Sequence, residues 1–512
     1  MLSLIVLSCI ALVAFYFYST RNFNYWKVRG IKYETPVPFF GSYWPLYAAQ
    51  KSMTQGSVES YWKFPEEKVV GWFRRSRPEL VVRDPAIIKR ILINDFSSFY
   101  PRGFLPEKTV IEPMMRNLFF ADGDLWRLLR QRMTPAFTSG KLKAMFPLIV
   151  ERAEKLQQRI IEAETAGKPI DAREAMARFT TDFIGACGFG LNSDSLNDEN
   201  SSFRKLGYKI FEIDFKRWCA ITIKELMPYT MRHVTTFYHI ENEVRELVSF
   251  ILRERNYQVS GRNDFIDLML ECKQKGLIKA ESIERKDENG VPEEISLELT
   301  EELITAQVLV FFAAGFETSS SATSFTLHQL AFNPDVQKKV QADVDRALAK
   351  YNNQLCFDAI KEMKYLENAF KEGMRMYPSL GFLKRESAQK YYIPELGITI
   401  DKEVGIIIPL QALQNDPKYI DDPHIFNPER FEPDNMKEEF KEIYLPFGAG
   451  PRACIGERLG LMQSLAGLAA ILSKFTVKPA ATTVRHPRVD PKSHIVQSVT
   501  DGLPLITVCT IA

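Results

Sequence analysis

Apolar positions along this chain recur mainly at helical spacing. Between residues 148 and 272 they lie three and four apart, which is the period of helices with one buried face. A second helix is predicted over residues 300–333, because Thr300 suits an N-cap and acidic residues follow it. A third covers residues 455–473, and its apolar residues on every side imply burial. The pattern therefore predicts a mainly helical protein.

Strand-like segments are few and short. Residues 68–73 and 79–82 are β-rich runs around a polar turn, and they predict a hairpin. Residues 494–500 and 503–510 predict a second hairpin, with Asp501-Gly502 at its turn. The expected fold class is mainly α with a small β-rich portion.

The N-terminal segment carries no charge. Residues 2–18 form an apolar run that just reaches the length of a spanning helix, which needs about 20 apolar residues and at least roughly 17. Four basic residues follow it: Arg21, Lys27, Arg29 and Lys32. Their position after the run places the rest of the chain in the cytosol. We expect residues 1–20 to be a signal-anchor transmembrane helix of the endoplasmic reticulum membrane.

A cleaved secretory signal and a mitochondrial transit peptide are the alternatives to an anchor. No small-residue cleavage site follows the run, and a transit peptide would be Arg-rich and amphipathic. A chain that faces the cytosol would leave the sequon at Asn200 without a glycan. Residues 21–45 are predicted to form a basic linker that Pro36 and Pro38 stiffen, and residues 46–512 one large domain.

Composition narrows the function classes. The 512 residues are 46% hydrophobic and 25% charged, with a net charge of +2, so bulk charge predicts no nucleic-acid partner. The seven cysteines are scattered and odd in number, which argues against a disulfide framework or a zinc site. The six histidines show no metal-ligand pair spacing. Residues 285–294 are charged and contain Gly290 and Pro292, so they predict an exposed loop.

The most informative stretch is residues 447–456, Phe-Gly-Ala-Gly-Pro-Arg-Ala-Cys-Ile-Gly. Its glycines let the backbone approach a flat ligand, and the predicted helix that follows favours a thiolate at Cys454. Arg452 can pair with a carboxylate on the same ligand. Haem satisfies both demands, because it carries iron on its face and carboxylates on its edge.

This loop has two other interpretations, an inert core cysteine and a dinucleotide-binding fingerprint. A lone Cys454 among apolar residues is most often an inert core side chain, so other parts of a haem site must be found. A dinucleotide fingerprint at Gly448, Gly450 and Ala453 would need an acidic residue about 20 positions later. No Asp or Glu occurs over residues 459–489, which excludes it.

The decapeptide resembles the haem-binding signature of the cytochrome P-450 superfamily, Phe-x-x-Gly-x-Arg-x-Cys-x-Gly, with every fixed position filled. The resemblance extends from about Pro36 to the C-terminus. It implies the cytochrome P-450 fold, with residues 46–512 as the haem-thiolate catalytic domain and Cys454 as the metal ligand of haem b. It also implies haem contacts from the following residues: Arg452, Trp126, Arg130, Arg385, Phe447, Gly448 and Gly456.

Trp126 and Arg130 lie four apart in a predicted helix and therefore on one face. A surface helix is the ordinary interpretation, but the resemblance makes the pair a clamp for a haem propionate. Arg385 follows the apolar residues 380–383 and matches a further propionate contact. Four basic residues nearby suit an acidic electron-donor protein, although a solvated surface is the default for such charges. They are Arg127, Arg132, Lys141 and Lys143.

The middle of the 300–333 helix resembles the oxygen-binding groove of the same family. The match falls on Ala314, Gly315, Glu317 and Thr318. Gly315 and the hydroxyl side chains weaken the helix there, a strain that has a use if a small ligand must fit. By resemblance Thr318 relays a proton to dioxygen and Glu317 links the relay to solvent. A structural Thr in a bent helix is the alternative.

Glu372 and Arg375 lie three apart on one predicted helical face. Most such pairs are solvated and contribute little. Here they resemble the Glu-x-x-Arg motif of the superfamily, a buried structural pair joined by a downstream arginine that matches Arg430. Gly373 departs from the larger residue expected there, and we expect it to loosen the helix.

The substrate pocket is assigned by resemblance to apolar residues in several segments, with ordinary packing as the alternative. These residues are Phe104, Phe120, Phe211, Phe312, Ala314, Leu380 and Leu503.

The resemblance implies a monooxygenase that inserts one oxygen atom from O2 into apolar small molecules. Its electrons would come from an NADPH-dependent flavoprotein reductase, with a b-type cytochrome as a second candidate donor. Residues 180–185 and 263–268 resemble the microsomal insect enzymes of the sixth family, many of which oxidise plant toxins and insecticides. A biosynthetic hydroxylase or epoxidase of hormones or lipids shares every motif. A haem isomerase or dehydratase, or a non-enzymatic haem sensor, would not need Thr318 or Glu317.

Overall fold

The structure is a computed structural model that describes residues 2–105, 107–191, 193–262, 264–493 and 495–510. Asn263 and His494, which belong to two of the sequence predictions, lie outside the described residues. The fold is mainly helical with small β-sheets, which confirms the predicted fold class.

The helices are α1 Leu2–Thr20, α2 Tyr25–Val28, α3 Trp44–Tyr47, α4 Met53–Lys63, α5 Pro85–Lys89, α6 Gly123–Met133, α7 Ser139–Thr165, α8 Ala172–Phe189, α9 Ser202–Phe211, α10 Phe215–Leu226, α11 Glu241–Glu254, α12 Phe265–Gln274, α13 Glu301–Phe332, α14 Pro334–Ala349, α15 Phe357–Glu362, α16 Lys364–Met376, α17 Leu410–Leu413, α18 Glu438–Ile443 and α19 Glu457–Leu472. The strands are β1 Val69–Arg74, β2 Arg77–Val82, β3 Ile170–Asp171, β4 Ile278–Lys286, β5 Pro292–Leu297, β6 Leu383–Glu386, β7 Tyr391–Ile393, β8 Ile398–Ile400, β9 Gly405–Ile408, β10 Phe475–Pro479 and β11 Pro504–Cys509.

Helix α13 runs through the centre of the main hydrophobic core. It begins where the sequence predicts, with the Thr300 hydroxyl accepting a hydrogen bond from the Leu303 N–H at 3.2 Å. It packs against α8, α16 and α19, which together cover most of its surface. The helix can be apolar over its first half because these neighbours remove it from water.

Among the described residues, α1 and α13 are long and apolar enough to cross a membrane. Most of α13 is buried inside the protein, so it is a core helix. In contrast, the side chains of α1 are almost all exposed, including Leu2, Leu7 and Phe17. Helix α1 is therefore compatible with a membrane anchor.

The predicted hairpin near the N-terminus is present as β1 and β2, which pair antiparallel. Strand β9 pairs parallel with β2 and antiparallel with β6, giving a sheet of order β1-β2-β9-β6. This sheet brings Arg74, at the end of β1, and Arg385, in β6, to the same side of the protein as the site described below.

The predicted hairpin of residues 494–500 and 503–510 is wrong. Strand β11 pairs antiparallel with β10 and with β3, so that Phe475 lies opposite Cys509 and Ile170 opposite Leu505. Among the described residues of 495–500, only Val499 forms an isolated bridge, to Val489. The distant strands win because Phe475, Val477 and Leu505 become buried in the main core, which the local hairpin would not achieve.

The loop predicted over residues 285–294 is present in only half of its length, although nearly all of these residues are exposed as expected. Strands β4 and β5 form a hairpin there, and residues 287–291 alone make its turn. Ile278 and Ile295 are buried against Leu128 of α6, while the charged side chains face outward. The charges concealed a strand pattern with a single apolar face.

The departure of Gly373 from the family pattern led us to expect a looser α16. The structure shows that this glycine instead lies in a close contact between helices. A Cβ atom built at Gly373 would lie 2.3 Å from the Thr326 hydroxyl and 3.2 Å from the Thr326 Cβ of α13. The absence of a side chain therefore allows the two helices to pack closely, which corrects the expectation.

We predict that Gly373→Ala destabilises the protein by about 1–3 kcal/mol, because the added methyl group overpacks the contact between α16 and α13. Thermal unfolding followed by circular dichroism measures the change in Tm. Gly140→Ala in α7 is the matched control, since nothing lies within 4 Å of a Cβ built there. It should be neutral or stabilise by up to about 1 kcal/mol through helix propensity. Equal unfolding temperatures for the two variants would contradict the close packing.

Candidate functional site

The cysteine loop lies between α18 and α19. The Cys454 N–H donates to the Phe447 carbonyl at 2.8 Å and closes the loop. Gly448 and Gly450 both have φ near +71°, a conformation that residues other than glycine rarely adopt. A Cβ atom at Gly450 would lie 1.9 Å from the Leu92 carbonyl oxygen, so this position admits no side chain.

Cys454 is exposed at the loop surface, three residues before α19 begins. The protein around its sulfur nevertheless raises the pKa of the Cys454 thiol by desolvation, while the Gly456 N–H, Arg130 and Arg102 act in the opposite direction. A thiolate at Cys454 therefore stays a prediction for a protein that holds a metal. A bound metal cation would supply the missing charge, since a coordinating thiol is deprotonated.

Four guanidinium groups surround this loop. Arg452 is buried, bonds Asp122 at 3.0 Å and the Ala121 carbonyl at 2.8 Å, and lies with its Cζ 4.4 Å from the centroid of the Trp126 ring. The Arg130 Nη1 donates to the Ala453 carbonyl at 2.8 Å. The other two are Arg102, which donates to the Phe119 and Arg452 carbonyls, and Arg385, which donates to the Lys384 carbonyl.

The positive charge of this cluster is only partly balanced, by the Asp122 carboxylate. Burial lowers the pKa of Arg102 to about 10 and that of Arg385 to about 9, and it lowers the pKa of Arg452 well below its ordinary value. The Arg385 Nε and the Arg452 Nε and Nη1 are buried without a hydrogen-bond partner among the described residues. Buried unpaired donors are costly. The cluster therefore fits a ligand that brings its own carboxylates, such as the propionates of haem.

The described residues contain no group of three or more His, Cys, Asp or Glu side chains that could hold a metal ion. A metal at Cys454 would thus take one ligand from the described protein and the others from elsewhere. A haem would bring its own nitrogen ligands, so Cys454 would be the residue that holds the iron.

Sequence reasoning missed Arg102 and Asp122. Asp122 accepts from the Arg102 N–H at 2.7 Å as well as from Arg452. Each is a single charged residue in an irregular segment, where no periodicity marks it. Only the closeness of Arg102 in sequence to Phe104, a predicted pocket residue, could have drawn attention to the arginine.

The groove segment of α13 is helical throughout, with no break at Gly315. The Thr318 hydroxyl donates to the Ala314 carbonyl at 2.7 Å, and the Ser379 hydroxyl donates to the Thr318 carbonyl at 2.8 Å. Gly315 faces Ile184 of α8, where a Cβ atom would lie 2.5 Å from the Ile184 Cδ1. The glycine serves helix packing and not, as expected, space for a small ligand.

Glu317 forms an ion pair with Arg173, the second residue of α8. The Arg173 Nη1 also donates to the Gln497 carbonyl at 3.2 Å. The sequence did not predict Arg173 or Gln497 as partners, because both are distant from Glu317 in sequence and lie in no motif. With the side chains of Glu317 and Arg173 about 15% exposed, the pair joins the buried groove to the surface.

Most predicted pocket residues lie near the groove or the arginine cluster. The Phe104 ring stacks on Phe119 at 5.3 Å and approaches Phe120 at 6.1 Å. Ala314 is exposed on the same face of α13 as Thr318, and Leu380 is half-buried directly after Ser379. Phe211 packs edge-on against Phe316 at 5.7 Å, and Phe316 contacts Phe312, so Phe211 lies on the side of α13 away from Ala314, which corrects this pocket prediction.

Phe312 and Leu503 lie elsewhere, which corrects two pocket predictions. Phe312 is 3% exposed and stacks on Phe203 at 4.4 Å, because a position two residues from Ala314 faces the opposite side of a helix. Leu503 is 1% exposed in the core beside Asp171. Gln497 occupies the place expected for Leu503, since its N–H donates to the Ser379 carbonyl at 2.8 Å.

The predicted structural cluster is present beneath the site. Arg375 forms two bonds with the Glu372 carboxylate, at 2.7 and 2.9 Å, and the Arg430 Nε lies 3.1 Å from the same carboxylate. Glu372 and Arg375 are fully buried. Arg375 also donates to the carbonyls of Gln414 and Pro423, so the cluster joins α16 to the chain that leads to the cysteine loop.

The basic surface predicted for an electron donor is partly neutralised within the chain. Arg127 lies 3.7 Å from Glu281 of β4, and Lys143 lies 3.0 Å from Asp358 of α15. Arg132 and Lys141 are half-buried beside them. The hairpin β4–β5 thus lies along the same helix face that the sequence assigns to docking.

Comparisons with known proteins agree with this geometry. A model of the family described as Cytochrome P450 matches residues 31–502. The chain is 38% identical to cytochrome P450 6B6 of Helicoverpa armigera, over 94% of each protein. It is 36% identical to cytochrome P450 6B1 of Papilio polyxenes, over 96% of each, and 37% identical to probable cytochrome P450 6a13 of Drosophila melanogaster, over 93% of this chain and 92% of that protein.

We predict that Glu372→Ala destabilises the protein by about 3–5 kcal/mol, because it leaves the buried Arg375 guanidinium without its counter-charge. Denaturant unfolding measures the difference. The control is Glu438→Ala, which removes an exposed partner of Lys441 on α18 and should leave the midpoint nearly unchanged. A small effect of Glu372→Ala, equal to that of the control, would show that the cluster does not stabilise the fold.

Proposed function

This chain belongs to the cytochrome P450 family, and we propose that it inserts one oxygen atom from O2 into apolar small molecules. As a monooxygenase of the insect family 6 type, it belongs to a group associated with xenobiotic metabolism. We therefore assign it plant toxins or insecticides as substrates. The observation that carries the proposal is the cysteine loop beside buried N–H groups of Arg385 and Arg452 that have no hydrogen-bond partner in the described part of the chain.

The residues of the site would divide the binding of haem b between them. Cys454 would bind the iron, while Arg452, Arg385, Arg130 and Arg102 would bind the propionates with N–H groups that are unpaired among the described residues or bound to backbone carbonyls. Trp126 would support Arg452 through its ring face. When bound, the haem supplies the thiolate-activated iron chemistry that cleaves O2.

Proton delivery is the task we assign to Glu317 and Thr318. Arg173 fixes the Glu317 carboxylate at the boundary between the groove and solvent. Thr318 lies one residue further along α13, and its hydroxyl can receive a proton from Glu317 and pass one on toward the open face that it shares with Ala314. The aromatic side chains of Phe104 and Phe120 exclude water and bind the apolar substrate there.

Two partners follow from this reaction. We assign the electrons to an NADPH-dependent flavoprotein reductase, with a b-type cytochrome as a second candidate, and the docking surface to the basic residues near α6.

We assign residues 1–20 to an anchor in the endoplasmic reticulum membrane, residues 21–45 to a linker, and residues 46–512 to the catalytic domain on the cytosolic side. Asn200, which is exposed, should then carry no glycan, and a glycan there would reverse the orientation.

A biosynthetic oxygenase of hormones or lipids would share this machinery. Turnover of a panel of apolar compounds, by membranes containing the protein and reductase, separates the two roles. Broad turnover of plant toxins and insecticides supports the proposal, while strict selection of one hormone or lipid contradicts the xenobiotic role.

We predict that Cys454→Ala abolishes the haem-thiolate spectrum, since no other described side chain can replace the axial sulfur. The reduced carbon monoxide adduct of the purified protein provides the measurement. The control is Cys356→Ser, because Cys356 caps α15 far from the site and a hydroxyl can keep its bond to the Ala359 N–H. An unchanged thiolate band in Cys454→Ala would exclude the assigned ligand.

We predict that Thr318→Ala lowers the yield of product per NADPH consumed by at least about tenfold, because proton delivery fails while electron transfer continues. Oxygen uptake, NADPH oxidation and product are measured together. Thr305→Ala is a matched control: its hydroxyl donates to the Glu301 carbonyl four residues earlier on the same helix, just as Thr318 donates to Ala314. Normal coupling in Thr318→Ala would remove the role of this residue.

A further inference from the structure

The buried side chains of helix α10 are charged, while Leu226 in its last turn packs against the apolar cluster that contains Tyr47 and Phe382. The two buried residues of α10 are Arg217 and Lys224, whereas Phe215 is 78% exposed and Ile223 is 44% exposed. This arrangement reverses the usual distribution of a surface helix, whose apolar side chains face the core. The position of α10 therefore depends on the partners of its charged side chains as well as on Leu226.

The first two attachments lie within the surrounding loops. The Arg217 Nη1 donates to the carbonyls of Ile210 and Glu212, at the end of α9, at 2.8 and 2.6 Å. The Lys224 Nζ lies 2.5 Å from a Glu112 carboxylate oxygen. Glu112 also accepts the Thr236 N–H at 2.7 Å. One buried carboxylate therefore binds both Lys224 in the last turn of α10 and the segment that follows the helix.

The third attachment reaches the β-sheet. Glu225 forms a bidentate ion pair with Arg74 at the end of β1, and their side chains are 14% and 8% exposed. Although burial alone would raise it, the Arg74 guanidinium holds the pKa of Glu225 below its ordinary value. The neighbouring Arg75 donates to the Leu226 carbonyl at 3.3 Å, which fixes the last turn of the helix to the same strand.

Arg74 is also bound to the wall of the predicted pocket. Its Nη1 donates to the Gly103 carbonyl at 3.0 Å and its Nη2 to the Phe104 carbonyl at 2.9 Å. The Phe104 side chain stacks on Phe119 and approaches Phe382 at 6.5 Å. One guanidinium thus joins α10 to the backbone that carries an aromatic wall next to the arginine cluster.

We propose that the Arg74–Glu225 ion pair is a latch that controls the admission of bulky apolar substrates between α10 and the Phe104 segment. While the pair is closed, α10 and Phe104 are held to one point of the sheet. When it opens, the attachment of the last turn of α10 to the sheet is reduced to the Arg75 bond with the Leu226 carbonyl and the packing of Leu226, so the end of the helix and the Phe104 segment can separate. Arg74 and Glu225 are positioning residues in this proposal, and both act through Phe104.

The proposal rests on the proposed function only for the identity of what is admitted. The mobility of α10 can be measured whatever the reaction of the chain is, so a failed latch and a failed monooxygenase give different results. Loss of a substrate-induced spectral change in the wild-type protein would count against the proposed function. Unchanged mobility in the variants would count against the latch.

The test uses Glu225→Ala in the full-length haem-containing protein, with Glu225→Asp as the conservative variant. Hydrogen exchange of the last turn of α10 and of Gly103 and Phe104 should accelerate by about 10- to 100-fold in Glu225→Ala, because a buried ion pair is lost. Glu225→Asp should restore part of the protection. Stopped-flow measurement of the spin-state change should show faster binding of a bulky apolar ligand and little change for a small one.

Two control variants separate a latch from general destabilisation. Arg255→Met breaks another buried ion pair, the 2.7 Å contacts of Arg255 with Asp264 and Asp267 that join the end of α11 to α12. It should lower Tm and leave exchange in α10 unchanged. Tyr47→Phe removes a buried hydroxyl near Glu225 that has no partner among the described residues, and it should change neither.

The kinetic split gives the final decision. In Glu225→Ala the rate of ligand binding should rise several-fold while kcat for a small substrate stays the same. Exchange that accelerates equally across the whole chain, or an unchanged rate of binding of the bulky ligand, would overturn the latch.

Discussion

An excess of buried positive charge is the constraint from which the rest of the site follows. Arg102, Arg385 and Arg452 are buried together, and Asp122 is the carboxylate that faces them. Removing cations from water costs several kcal/mol each unless counter-charges are provided. The fold meets part of this cost with the carbonyls of Phe119, Ala121 and Lys384. The carboxylates of a bound haem would meet the remainder, and binding of haem would then stabilise the fold.

Close packing of helices holds the two sides of the site in register. Gly315 and Gly373 allow α8 and α16 to approach α13, and the Gln463 side chain of α19 donates to the Gly315 carbonyl at 2.7 Å. The helix that follows Cys454 is therefore bonded to the helix that carries Thr318. A shift of one would move the other, which keeps the sulfur and the relay at a fixed separation.

Local chemistry could be read from the sequence, whereas long-range pairing could not. The cap at Thr300 and the shared face of Glu372 and Arg375 follow from spacing, whereas the role of the cysteine loop and the addition of Arg430 to the Glu372 cluster came from the family resemblance. The pairing of β11 with β10 depends on burial in a core that no local pattern describes. Arg102, Asp122 and Arg173 are isolated charges whose partners lie far away in sequence. Phe312 was misplaced because membership of a motif-bearing helix does not determine which face a residue occupies.

The hairpin β4–β5 changes what an approaching electron donor meets. Its Glu281 already pairs with Arg127, and Asp358 already pairs with Lys143, so part of the basic surface has its counter-charges within the molecule. Long-range attraction between opposite charges accelerates encounter and weakens as ionic strength rises. With fewer free cations, this face would steer an acidic donor less strongly. Recognition would then rely more on the shape of the ridge that the hairpin builds along α6, and the rate of complex formation would vary little with salt.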